Sequence, residues 1–232
     1  MEAKTLEAKL IQDWHKNGEC PEGAIPIVRS PQKRPRRKTS FFSSSIQPDV
    51  DLGNNHESDG YQKTGCYNLE CPGFVQTNNK LSLGGKIEPI SQYGGDQFEL
   101  RIYIYKDKQS GNWWLRIHEI DVGYWPGSIF NKLSDRADTV SWGGEIVNSG
   151  SQGHHTSTEM GSGHFPGEGY GKASYVRNLR YVDESGAIND ASPDNVVRSV
   201  SRPECYDLQM GDLTNYGTHF FYGGPGFSDK CK

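Results

Sequence analysis

The chain has 232 residues, a formal net charge of −4, and only 33% hydrophobic residues against 23% charged. That length suits one large β domain or a smaller domain with a tail, and with glycine added the apolar share reaches the low edge of the globular range. Neither a nucleic-acid nor a membrane partner is expected: the charge is mildly acidic, and no run approaches the roughly 18–20 apolar residues of a membrane helix.

The opening MEAKTLEAKL has no apolar h-region, so it does not read as a signal peptide. Leu6, Leu10 and Trp14 recur at helical spacing and predict a short helix that breaks at Asn17-Gly18. Pro21, Pro26, Pro31 and Pro35 follow, with six Lys/Arg between Arg29 and Lys38 and then Ser43-Ser44-Ser45. Such a stretch cannot bury enough apolar surface to offset its ordering entropy, so 24–58 reads as a largely disordered linker. Its KRPRRK run reads as a solvated basic segment, with an import signal or a protease-processing site as the functional alternatives.

From Asp59 the pattern is β nearly throughout. Phe98, Leu100, Ile102 and Ile104 alternate with Glu99, Arg101, Tyr103 and Tyr105, and KDKQSGN then turns the chain into Trp113–Ile117, predicting a hairpin. Further strands are expected at 74–77, 86–90, 119–124, 140–148, 173–182, 205–209 and 219–223, with a helical turn or two at 128–136. Short strands with Gly-rich turns predict an all-β fold, an antiparallel β-sandwich or barrel.

Cys66 and Cys71 stand close in sequence, and Cys205 and Cys231 flank the last two strands. Neither spacing fits a redox or zinc motif, so two disulfides are expected, Cys66–Cys71 and Cys205–Cys231, with Cys20 left over. His154, His155, Glu159 and His164 are a candidate metal cluster, against the commoner reading of solvated loop histidines. Glu145, in SWGGEIVNS, is the most informative ionisable residue. Buried beside Trp142 it would suit general acid–base work; facing outward it is an ordinary strand glutamate. Aromatic side chains, among them Trp113, Trp114, Tyr124, Trp125 and Trp142, divide between core filling and an exposed stripe able to stack sugar or proline rings.

These residues carry a resemblance. DGYQKTGCYNLECPGFVQT, KDKQSGNWWL, VGYWPGSIF, SWGGEIVNS, HTSTEMGSGHFP, KASYVRNL and FFYGGPG run in order over nearly all of 59–232 and resemble the neprosin family, plant-rich secreted glutamic peptidases that cleave after proline. QDWHKNGECPEGAIPI, at 12–27, resembles the end of that family's activation peptide. The resemblance implies a β-sandwich hydrolase working in acid through two glutamates, without metal or other cofactor, on peptide or protein substrates, Pro-rich ones included. Glu145 matches the family glutamate in W-G-G-E, and Trp142, Trp125 and Tyr124 are the expected cleft aromatics. Both expected disulfides agree with the family's pairing.

One departure matters more than the matches. The second family glutamate lies in an E-A-G-W segment, and no E-A-G-W occurs here. The chain passes from His56-Glu57 to Asp59, which matches the middle of the catalytic domain. Residues 1–58 therefore read as an activation-peptide remnant plus linker, and 59–232 as the carboxy-terminal part of an incomplete sandwich. The missing activation-peptide segment accounts for Cys20 having no expected partner. The expected function is that of a family peptidase rendered impaired or inactive. Glu88, Glu99, Glu119 and Asp207 are the conceivable substitutes, though no spacing supports any of them. The alternative is a non-catalytic module that binds cell-wall carbohydrate or Pro-rich protein.

Overall fold

Alternating apolar residues form a sheet only where two chains meet in register, and the computed structural model shows which of the expected strands do. It describes residues 73–232 except 131, 149, 151 and 152, together with 4, 5, 11, 12, 15, 16, 18, 20, 21 and 24. Cys66, Cys71, the 24–58 linker (Ala24 apart) and the basic run lie outside the described residues. These residues fall into two compact units: the amino-terminal positions with 73–91 and 97–139, and 92–96 with 140–232. The fold is all-β, mostly in antiparallel sheets, and among the described residues helix is confined to short 3-10 turns.

The first unit contains β1 (Lys4–Thr5), β2 (Ile11–Gln12), β3 (Val75–Gln76), β4 (Ile87–Glu88), β5 (Phe98–Glu99), β6 (Ile102–Lys106), β7 (Trp113–Ile117) and β8 (Ile120–Trp125). Its main sheet runs β3-β8-β7-β6, all antiparallel. The expected hairpin is β6–β7. Its turn closes where Asp107 Oδ2 accepts from the Ser110 amide at 2.7 Å and Gly111 takes φ 73°. Alternation then sorts the side chains. Trp113, Leu115 and Trp125 join Leu81, Val122, Phe130 and Leu133 in the core, while Tyr103, Tyr105, Trp114, Arg116 and Tyr124 share the other face. The Trp113 indole N–H donates to the Leu133 carbonyl at 2.9 Å, fixing the 3-10 turn Lys132–Ser134 to the sheet. The helix expected at 128–136 is thus two separate 3-10 turns, Gly127–Ile129 and Lys132–Ser134.

The amino-terminal helix expectation is corrected at the described positions. Lys4–Thr5 pairs in parallel with Phe98–Glu99, and Ile11–Gln12 pairs antiparallel with Ile87–Glu88. A two-turn apolar repeat is too short to nucleate a helix, so strand pairing prevails. Gln12, 3% exposed, reinforces it: its side-chain NH2 donates to the Ser82 carbonyl at 2.9 Å, and its Oε1 accepts from the Ser82 amide at 2.7 Å.

The second unit contains β9 (Ser174–Val176), β10 (Arg180–Val182), β11 (Ile188–Asp190), β12 (Asp207–Met210) and β13 (Phe220–Gly223). The sheet order is β12-β13-β9, with β10–β11 a separate hairpin. The single strand expected over 173–182 is split because Asn178 adopts φ 54°, a left-handed conformation that asparagine tolerates. The Asn178 and Leu179 amides turn to the Tyr216 and Thr218 carbonyls. Leu208, Met210, Phe220, Tyr222 and Val176 pack with Leu179 and Ala191 on one face of the three-stranded sheet. Asp207, Gln209, Phe221 and Tyr175 occupy the other face by alternation.

Candidate active-site segment

Residues 140–148 were expected to be a strand, and this expectation is corrected: among the described residues no ladder includes them. The chain nevertheless keeps a strand-like alternation. Trp142 packs on the cluster of Leu179, Phe220 and Tyr222, and Ile146 packs on Cys205, Tyr206 and Cys231. Between them, a Cβ at Gly144 would lie 2.9 Å from both Cγ and Sδ of Met160 and 3.1 Å from Cε2 of Tyr222, whereas a Cβ at Gly143 would meet nothing within 4 Å. Trp142, Gly144 and Ile146 therefore face their neighbours within the unit, while Glu145 and Val147 are exposed. Burial replaces a ladder as the fixing force, and glycine at 144 lets the backbone approach Met160 and Tyr222 closely.

This alternation places Glu145. Its side chain is exposed, not buried against Trp142, because 142, 144 and 146 take the inward direction. It has no hydrogen-bond or ion-pair partner among the described residues. Beneath the segment the environment is dry: Tyr222 is 4% exposed, and burial pushes its phenol well above the ordinary value. Tyr206, beside Ile146, is pushed up to about 12 by the same cause while its hydroxyl donates to the Thr158 carbonyl at 2.8 Å.

The other expected site residues go elsewhere. Trp142 is half-buried and anchors the segment. Trp125, 8% exposed, is a core residue of the first unit, edge-on to Phe74 at 4.7 Å. Tyr124 lies on the outer face of that unit's sheet, 4.9 Å from Trp114 between ring centroids. The possible substitute carboxylates have their own partners: Glu88 with Lys16 and Lys86, Glu119 with Arg101, and Asp207 with Arg198. Glu99 lies in β5 of the first unit. Asp207 also lies on the sheet face opposite the one that carries Trp142 and Gly144.

The histidines do not converge. His154 stacks on Phe227, His155 is buried against Tyr206, and His164 Nδ1 pairs with Glu168 Oε1 at 2.8 Å. The Tyr93 hydroxyl donates to the same carboxylate, and these two partners hold Glu168 below the usual carboxylate range. Among the described residues, His155, Cys205 and Cys231 have potential metal-ligand atoms within 4.8 Å of one another, but the two sulfurs are joined in the expected Cys205–Cys231 disulfide. A cleft of about 320 Å³ opens on the Asp207 face of the second unit, between Pro166, Pro203, Glu204, Gln209 and Lys230. Glu145 is not among its lining residues.

Two features were not read from the sequence. One is the seat of Met160, Tyr222 and the disulfide under residues 142–146, for which only the alternation of Trp142, Gly144 and Ile146 was a signal. The other is the outer aromatic stripe of the first unit. Tyr103 and Tyr105 are offset-stacked at 5.0 Å, and Arg116 lies 5.6 Å over Tyr105 while its guanidinium donates to both oxygens of Asp121 at 2.7 and 2.8 Å. That guanidinium, aided by the Tyr105 hydroxyl, holds the Asp121 carboxyl below its ordinary value.

An all-β chain that presents a W-G-G-E glutamate on a glycine-permitted ledge matches the class of protein its motifs resemble. The neprosin family model matches residues 50–225, and the chain belongs to the neprosin family.

Proposed function

We propose that this chain is a glutamic-peptidase relative directed at proline-containing peptides, that Glu145 is its retained catalytic carboxylate, and that its turnover is impaired because the partner glutamate is missing. The observation carrying this reading is the state of Glu145: outward-facing on a firmly seated segment, with no partner among the described residues. Two-carboxylate hydrolysis needs one group to take a proton from water while the other, kept protonated, polarises the carbonyl or protonates the leaving amine. A single carboxylate can activate water or protonate an amine, but it does not supply both functions in one transition state. The peptide-bound state is therefore formed and turned over slowly. Incubating the chain and Glu145→Gln at acid pH with a proline-containing peptide tests this by mass spectrometry. Slow post-proline cleavage that Glu145→Gln removes supports the assignment. Equal cleavage by both removes Glu145 from the mechanism.

A second reading rests on the aromatic stripe. Tyr103, Tyr105, Trp114 and Tyr124 are half-buried on one sheet face, and the Arg116–Asp121 pair among them is internally neutralised. Such a face suits an uncharged, ring-bearing ligand, a glycan or a Pro-rich segment. It predicts retention on a glycan or Pro-rich matrix that Trp114→Ala abolishes and Glu145→Gln leaves intact.

A further inference from the structure

A segment without a ladder depends on what its inward side chains rest on, and for 142–146 that support leads to one bond. Ile146 packs against the cluster formed by Cys205, Cys231 and Tyr206, with both cysteines fully buried. Cys205 belongs to the turn before β12, where the Cys205 and Tyr206 amides both donate to the Arg202 carbonyl. Cys231 lies in the carboxy-terminal tail. The disulfide ties that tail to β12, and the tail in turn holds residues 154–160. The Phe227 amide donates to the Thr156 carbonyl at 2.9 Å, and Met160 and Gly224 exchange amide–carbonyl bonds at 2.9 and 3.3 Å. Met160 is the side chain directly beneath Gly144. The bond thus reaches Glu145 from both sides, through Ile146 and through the tail and Met160.

We propose that the Cys205–Cys231 disulfide, with Ile146 seated on it, is the positioning element for Glu145, so that presentation of this carboxylate depends on the redox state of the bond. The proposal rests on the reading of Glu145 given above. A dithiol reductant supplies the two electrons that open the disulfide. One of its thiolates attacks a protein sulfur, breaking the Cys205–Cys231 bond and releasing one cysteine as a thiolate in a mixed disulfide; its second thiolate then breaks that mixed disulfide, forming the reductant's own S–S bond and releasing the other cysteine. The dithiol ends as a disulfide, and the two cysteines take up the two electrons and two protons.

The test is backbone amide relaxation by NMR on the full chain, wild type, Ile146→Ala, Ile146→Val and Cys205→Ser/Cys231→Ser. Order parameters at 144–146 are expected near about 0.85 in the wild type and below about 0.6 in Ile146→Ala, with β12 and β13 unchanged and Ile146→Val close to wild type. The double serine variant is expected to loosen 144–146 and 154–160 together. Unchanged values at 144–146 in Ile146→Ala overturn the proposal, as does loosening spread evenly over the unit. Should the serine variant not fold, Ile146→Ala decides alone, since it leaves the disulfide in place. On a proline-containing peptide, Ile146→Ala is expected to lower kcat at least fivefold with KM within about twofold, the pattern of a misplaced reacting group. The relaxation result stands whether or not the chain cleaves, so failure of the clip and failure of the peptidase reading are separable.

Discussion

The two glycines of W-G-G-E provide the sharpest stability test, because the same substitution should act with opposite sign at adjacent positions. At Gly144 a methyl group would lie 2.9 Å from Cγ and Sδ of Met160 and 3.1 Å from a ring carbon of Tyr222. The Met160 thioether can yield, but Tyr222 is 4% exposed and closed in by Phe220 and Leu179. Overpacking of this kind costs about 1–3 kcal/mol. At Gly143 the methyl meets nothing within 4 Å, and the backbone is not left-handed. There alanine mainly restricts the unfolded chain, a gain of about 0.4–1 kcal/mol. Gly143→Ala and Gly144→Ala should therefore differ by at least about 1.4 kcal/mol, tenfold in the folding constant. Urea denaturation followed by tryptophan fluorescence measures this; Trp142 is the only tryptophan in 140–232. Equal destabilisation at both positions, or a larger loss at 143, refutes the inward–outward assignment that places Glu145.

Three further outcomes are expected. Replacing Cys205 and Cys231 by serine releases a loop with a sequence separation of 26, which by chain entropy costs about 3.5 kcal/mol in denaturant titration; a loss under 1 kcal/mol would contradict this. Trp113→Phe removes the donor to the buried Leu133 carbonyl and should cost about 1–3 kcal/mol, read as a lower Tm. Asp183 is held at about 2, below the ordinary carboxylate value, by the Ser185 hydroxyl and the Asn189 amide, with help from the Ala187 and Ser185 amides. Its support of the β10–β11 turn is thus complete above about pH 4 and lost as pH falls through about 2. NMR titration should show the turn amides following that carboxyl, and Asp183→Asn should remove the transition.

Period-two patterning made the β6–β7 hairpin legible, because Trp113 and Leu115 of β7 enter the core, with Ile104 of β6 packed against it, while their neighbours Tyr103, Tyr105, Trp114 and Arg116 face the other way. In the structure Trp142, Gly144 and Ile146 share one side, but a sequence pattern does not show that their neighbours are side chains and a disulfide instead of a partner strand. Ladder partners are non-local, and a run of residues does not encode them. The split of 173–182 was hidden because only the φ of Asn178 marks it. Leu6, Leu10 and Trp14, which suggest a helix in isolation, lie outside the described residues, but Lys4–Thr5 and Ile11–Gln12 beside them have strand partners more than seventy residues away. For the site, the W-G-G-E motif was readable and its setting was not. The sequence left Glu145 either buried beside Trp142 or facing outward, and the structure turns it to solvent. Trp125 shows the converse, a residue beside cleft candidates that the register turns into the core.

Glu145 is proposed above as one half of a two-carboxylate site whose other half is missing. The most direct measurement is peptide cleavage at acid pH by a chimera carrying, at Ser58, the E-A-G-W-bearing segment of an intact neprosin-family protein, with either Glu or Gln at 145. Post-proline cleavage well above that of the present chain is expected with Glu145, and its loss with Gln. Cleavage that is equally strong with Gln at 145 would contradict that proposal.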